Sequence, residues 1–284
     1  MAPVATRRKN RFSLSAAAGV VIAAAIGLYT LFPFYWAIIS SLKNQNGLYQ
    51  VPPQWWPRPL QVETYIELFT RKPFPHNILN SVVVNTGTTL LCLVVGTLGA
   101  YALARLQFRG RVAALGLILS VSMFPQITVV APLYLLLRAL HLLNTYWGLI
   151  LPYLAFNLPL TTWILVSFFR GLPRELEEAA FVDGCTPHQT LYKIMLPLAL
   201  PGIVTAGLLT FISAWNEFLF ALLFTINDQA RTVPVAIALF SGEHEVQWGS
   251  IMAAAVTVTL PVIVLALLTQ RRIVSGLTAG AIKD

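Results

Sequence analysis

An all-α membrane protein with six transmembrane helices is the fold class predicted by three observations on this 284-residue chain. First, 57% of the residues are hydrophobic and 11% are charged, with a mean hydropathy of +0.71; a soluble domain carries about 25% charged residues. Second, six apolar runs are each long enough to cross a hydrocarbon core of about 30 Å at about 1.5 Å per residue. Third, the basic residues fall unevenly between the segments that join these runs, as the positive-inside rule requires of a multi-pass protein. The net charge of +8 could suggest nucleic acid, but charges this sparse encode orientation, so membrane lipid and no nucleic acid is expected as the surrounding partner. Two cysteines, Cys92 in an apolar run and Cys185 in a polar one, do not make a disulfide framework.

Residues 1–15 form a basic tail with Arg7, Arg8, Lys9 and Arg11. The twin arginines invite a signal-peptide reading. However, the apolar run that follows, 16–39, is longer than a signal h-region and no A-x-A cleavage site comes after it, so it reads as an uncleaved first span. A polar loop with Pro52, Pro53, Trp55 and Trp56 completes the segment 16–79, its tryptophans suited to a membrane–water interface. The core, 80–270, holds five further runs at 80–104, 112–137, 146–169, 198–224 and 249–270, and a short tail, 271–284, closes the chain. With the N-terminus inside, the inner segments hold thirteen Lys and Arg and the outer ones six, which predicts an N-in/C-in topology. Seven prolines fall within the runs: Pro33, Pro125, Pro132, Pro152, Pro159, Pro201 and Pro261. In lipid the backbone groups they free need protein or a wet cavity to satisfy them, which fits a bundle around a path better than an anchor.

One long polar interruption, 171–197, separates the fourth and fifth runs. Pro173 suits the first turn of a helix over 174–182, and Gly184 after Asp183 suits the left-handed residue at its end. Thr186, Pro187 and Gln189 then spell a capping box at the start of a second helix. Both helices are too short to persist in water unpacked. The topology places this interruption in the cytosol.

Glu217, in Trp215-Asn216-Glu217-Phe218, is the one acidic residue within a run, roughly 10 Å from its end by helical rise. A charge deep in lipid costs on the order of 3 kcal/mol, so it should face the bundle interior or a cavity. It is either a pathway residue or a hydrogen-bonded group that fixes helix packing. Tyr153, Asn157 and Thr161 recur at i, i+4, i+8 in the fourth run, and Ser122 and Gln126 pair in the third. Such groups bind a polar solute or hydrogen-bond between helices. No phosphate-binding G-x-x-x-x-G-K-[ST], no H-E-x-x-H, no G-x-S-x-G and no metal-spaced Cys/His cluster occurs, so neither catalysis nor a cofactor nor a metal is expected in this chain.

Glu178-Ala179-Ala180, then Gly184 after three intervening residues, then Ile194 and Leu196-Pro197, resembles the EAA loop of ABC-importer permeases. Most of the chain is similar to the smaller six-helix subunit of the maltose-type carbohydrate permeases. The stretches that carry this are Ser41-Leu42-Lys43, Asn80-Ser81, 101–105 with Phe108-Arg109-Gly110, Trp215-Asn216-Glu217-Phe218, and the tail 276–283, whose final Asp284 departs from the Gly usual there. The resemblance implies a non-catalytic subunit of a prokaryotic inner or plasma membrane importer. Its implied partners are a second permease, two ATPase subunits and an extracytoplasmic binding protein that delivers a sugar, an oligosaccharide or disaccharide. It further implies that Glu178, Ala179, Ala180, Asp183, Gly184, Ile194, Leu196 and Pro197 couple to the ATPase. Gln126, Tyr153, Asn157, Trp215, Asn216 and Glu217 are the candidate pathway residues. The alternative is an ion-coupled secondary transporter or channel with no ATPase, although no second intramembrane ionisable partner for Glu217 is visible.

Overall fold

The computed structural model describes residues 14–241 and 246–279, with side chains for 18–241 and 246–270. The basic tail with Arg7, Arg8, Lys9 and Arg11 lies outside the described residues, as do the last five residues and the side chains of Arg271 and Arg272. The chain is all-helical among the described residues apart from an isolated bridge between Ser241 and Val246.

In order, the helices are α1 (Leu14–Ser41), α2 (Gln45–Leu48), α3 (Glu63–Thr70), α4 (Phe74–Arg105), α5 (Arg111–Val121), α6 (Gln126–Ala139) and α7 (Tyr146–Gly171). They continue with α8 (Glu175–Val182), α9 (Pro187–Thr190), a π-helical turn over Leu191–Met195, α10 (Leu196–Leu198), α11 (Leu200–Trp215), α12 (Leu219–Phe224), α13 (Val233–Ala238) and α14 (Trp248–Ala279). Residues up to Tyr65 with Trp248–Val256 form one compact unit, and Ile66–Gln247 with the chain from Thr257 form the other.

Among the described residues, four helices are long and apolar enough to cross a membrane, and the number rises to six if two bent helix pairs each count as one span. The third run, expected as one helix over 112–137, is instead α5 and α6, bent by 88°. Pro125 is the reason: it sits at the N-cap of α6 and biases Phe124 before it away from helical geometry. The fifth run, expected as one helix over 198–224, is also interrupted. α11 ends at Trp215 before the chain resumes as α12, and at Ala199 a 77° bend joins α11 to the helical segment Pro187–Leu198 of the polar interruption. The other prolines are absorbed differently. Pro33, Pro132, Pro152, Pro159 and Pro261 lie inside helices, while Pro201 occupies the first turn of α11, where its missing N–H is not needed.

In the larger unit, α4 packs along α7, and α11 packs on both. Ala100, Leu103, Leu165, Val166, Phe169 and Ala206 form the core at the Arg105 end of α4. Gly202 lets α11 approach α7 closely, because a Cβ there would lie 2.3 Å from the Phe168 ring. The Thr161 and Thr210 hydroxyls bond across α7 and α11 at 2.7 Å, so Thr161 fixes helix packing. At the Phe74 end, Asn80 Nδ2 donates to the Arg231 carbonyl at 3.0 Å and Ser81 Oγ accepts from the Val233 amide at 2.8 Å. The Asn80-Ser81 pair therefore ties the loop before α13 to α4.

Candidate functional site

The two broken runs meet α7 around a cavity of about 520 Å³. Gln126 and Ser122 reach it from the α5–α6 break, Tyr153 and Asn157 from α7, and Asn216 and Glu217 from the break after α11. Phe124, Phe156 and Phe218 supply aromatic wall. Five of the six candidate pathway residues thus come together. Trp215 does not: it is buried and stacks on Phe211 with ring centroids 5.5 Å apart. The spacing of Ser122 and Gln126 holds for a different reason than helical periodicity, since they flank the bend rather than share a helix face.

Glu217 is stabilised by backbone, not by a cation. Its Oε1 accepts from the Phe220 amide at 2.8 Å and its Oε2 from the Ala221 amide at 3.2 Å. The carboxylate therefore occupies the donors left unpaired where α12 begins, and those donors replace part of the water lost on burial. Asn216 Nδ2 donates back to the Ile212 carbonyl at 2.7 Å, and Asn157 Nδ2 to the Tyr153 carbonyl at 2.8 Å. The Tyr153 hydroxyl is buried beside Glu217 and Thr232. The lining contains one acidic side chain and no basic one.

The polar interruption builds a second feature. α8 ends in a pair of bonds, Cys185 N to the Ala180 carbonyl at 2.9 Å and Gly184 N to the Phe181 carbonyl at 3.1 Å, with Gly184 at φ +82°. Two residues later the capping box closes: Thr186 N donates to Gln189 Oε1 at 2.9 Å and Gln189 N to Thr186 Oγ1 at 3.3 Å. Leu191 and Met195 bury into the core beside Leu165 and Phe169. Ile194 and Leu196 are half-buried, and Ala180 is buried. Glu178, Ala179, Asp183, Gly184 and Pro197 are exposed, together with the apolar Leu176, Phe181, Tyr192 and Val182, the last at 87%.

Sequence reasoning missed what holds α8 in place. Arg105, the last residue of α4, lies 3.7 Å from Glu177 Oε2, and its Nη2 donates to the Leu172 carbonyl at 2.6 Å. Both side chains are nearly enclosed, at 4% and 11% exposure. The available signal was helical spacing, because Glu177 stands three residues before the buried Ala180 and so shares its face.

The model of the binding-protein-dependent transport system inner membrane component family matches residues 93–278, which contain the cavity and the loop. The chain belongs to this family. Among the relatives of this permease are a sulfoquinovosyl glycerol transport system permease protein of Agrobacterium fabrum and a trehalose/maltose transport system permease protein of Thermococcus litoralis. The first is 45% identical over 263 residues, covering 92% of each chain. The second is 43% identical over 267 residues, covering 93% of this chain and 95% of the relative. The fold of the permease is similar to that of a chain in a bacterial ABC transporter involved in import of the polysaccharide alginate. That match has a TM-score of 0.76 at 23% identity, over 95% of this chain and 99% of the other. A methionine ABC transporter crystallised in inward-facing conformations matches more distantly, with a TM-score of 0.59.

Proposed function

We propose that this permease is the non-catalytic membrane subunit of an ATP-driven sugar importer, N-in/C-in with six spans. It pairs with a second permease, receives sugar from an extracytoplasmic binding protein and is driven by two ATPase subunits. The observation that carries the reading is the cavity at the two broken spans, with amides, hydroxyls and a carboxylate interleaved with phenylalanine rings. Sugars present hydroxyl edges and apolar ring faces, which such a wall matches in kind. Relatives named for trehalose, maltose and sulfoquinovosyl glycerol transport support the carbohydrate class. With one acidic lining residue and no basic one, the cavity suits a neutral saccharide better than a sulfonated or uronic one. Energy enters through Glu178, Ala179, Ala180, Asp183, Gly184, Ile194, Leu196 and Pro197, the loop that offers exposed apolar residues to an ATPase cleft. The ion-coupled alternative is disfavoured by membership of a binding-protein-dependent family.

Uptake by the four-subunit transporter, reconstituted and supplied with its sugar-loaded binding protein, tests this. ATP hydrolysis in the lumen opposite the sugar should drive accumulation of a neutral disaccharide, and Gln126→Leu with Asn157→Leu should lower it at least tenfold. Uptake that follows an ion gradient without ATP, or that is untouched by the double substitution, would overturn the reading.

A further inference from the structure

A second cavity, of about 470 Å³, lies away from the polar cavity and is lined by Gln107, Phe108, Arg109, Arg111 and Arg174. Three arginines line this one open space, and among the described residues none of them enters an ion pair. Of the three acidic residues in the first turn of α8, Glu177 is taken by Arg105, and Glu175 and Glu178 are exposed and do not line this space. Like charges converging without a carboxylate repel one another and are offset by a bound anion. The planar forks of arginine match the oxygens of a phosphate group in particular.

Position distinguishes lipid from other sources of phosphate. Only the turn 106–110 joins α4 to α5, so it cannot depart from the level at which those two spans end. Leu106 and Phe108 are exposed beside the arginines, at 44% and 45%. Apolar side chains next to cations at a span end are the composition of a segment dipping into the headgroup layer. Gly110, at φ +89°, turns the chain there and leaves the first turn of α5 without a side-chain cap.

We propose that this pocket binds the phosphate headgroup of an anionic phospholipid in the cytoplasmic leaflet, an inference that rests on the N-in placement given above. The headgroup bridges the α4–α5 turn, through Arg109 and Arg111, to Arg174, the residue that leads into α8. It therefore holds the coupling loop to the membrane surface at the N-cap of α8.

The assembled transporter, purified in detergent, is titrated with short-chain phosphatidylglycerol, with phosphatidylcholine and with inorganic phosphate, and retained molecules are counted by native mass spectrometry. Phosphatidylglycerol should bind well ahead of phosphatidylcholine. Arg109→Gln with Arg111→Gln should weaken the phosphatidylglycerol site about thirtyfold, as expected for removing two cations near an anionic surface. Equal retention by the wild type and the double variant overturns the proposal. Inorganic phosphate binding as tightly as the lipid would make the pocket a free-anion site and overturn the lipid assignment. Phosphatidylglycerol that binds only after the ATPase subunits are stripped away would show a protein contact instead, and also overturns it. A cysteine at Gln107 in a Cys92/Cys185-free background reports the side independently. Labelling from outside sinks the topology, whereas labelling from inside with no lipid selectivity sinks the lipid site alone.

Discussion

Glu177→Gln should uncouple the loop without unfolding the bundle. At the observed 3.7 Å separation, the attraction between Arg105 and Glu177 is about 4 kcal/mol at an effective dielectric constant of about 20. Desolvating two nearly enclosed ions costs several kcal/mol each, so the intact pair adds little net stability. Removing one partner differs, because it leaves an uncompensated charge and costs about 3–5 kcal/mol. The Arg105 bond to the Leu172 carbonyl survives, which argues for the lower end, about 3 kcal/mol. That is roughly a 150-fold shift in the docked population of α8, yet small against the packing of α4, α7 and α11. Membrane abundance should therefore be normal, while ATP-driven uptake falls at least tenfold. Arg105→Met with Glu177→Met should restore much of the uptake lost in either single variant, since the pair is exchanged for apolar packing. Uptake and thermal stability measured across the four proteins of this cycle give the coupling directly. A coupling energy within about 0.5 kcal/mol of zero, the additivity limit for independent sites, would refute the argument.

The hinge and the acid make further tests. Gly184 has φ +82° and no atom within 4 Å of where a Cβ would stand, so its cost on substitution is conformational. Gly184→Val should cost roughly 1–2 kcal/mol and abolish uptake at normal abundance, whereas Gly184→Asn, which tolerates the left-handed region, should transport; equal behaviour of the two variants would locate the hinge elsewhere. Glu217→Leu removes the acceptor for two backbone amides and should lower both uptake and thermal stability, while Glu217→Gln, which keeps one acceptor oxygen, should retain stability and lose less transport. A stable, fully active Glu217→Leu variant would mean that neither the cap nor the pathway needs the acid. For topology, impermeant thiol reagents should label Gln189→Cys only from the cytoplasm and Gln61→Cys only from outside in a Cys92/Cys185-free background; the reverse pattern would invert the placement of the coupling loop.

Composition and periodicity were enough for the membrane-helix class, because an apolar run of about 20 residues has few other stable environments. Local chemistry was equally legible where it is set within a few residues. Gly184 takes its positive φ, and Thr186 and Gln189 close their box, through bonds that span no more than five positions. Hydropathy also found the third and fifth runs, yet not their breaks, since bent and straight helices of the same residues have the same hydropathy. Pro125 was visible but did not by itself distinguish a kink from the start of a new helix. Glu217 illustrates the limit most sharply. Its position marked it as costly in lipid, but only the fold revealed that the Phe220 and Ala221 amides receive its oxygens. The grouping of Gln126 with Asn157 and Glu217, and of Arg105 with Glu177, joins residues 31 or more positions apart. No local pattern records such distances: they follow from how α4, α7 and α11 pack, and packing is settled by the shape of whole helix faces such as the one Gly202 opens to Phe168.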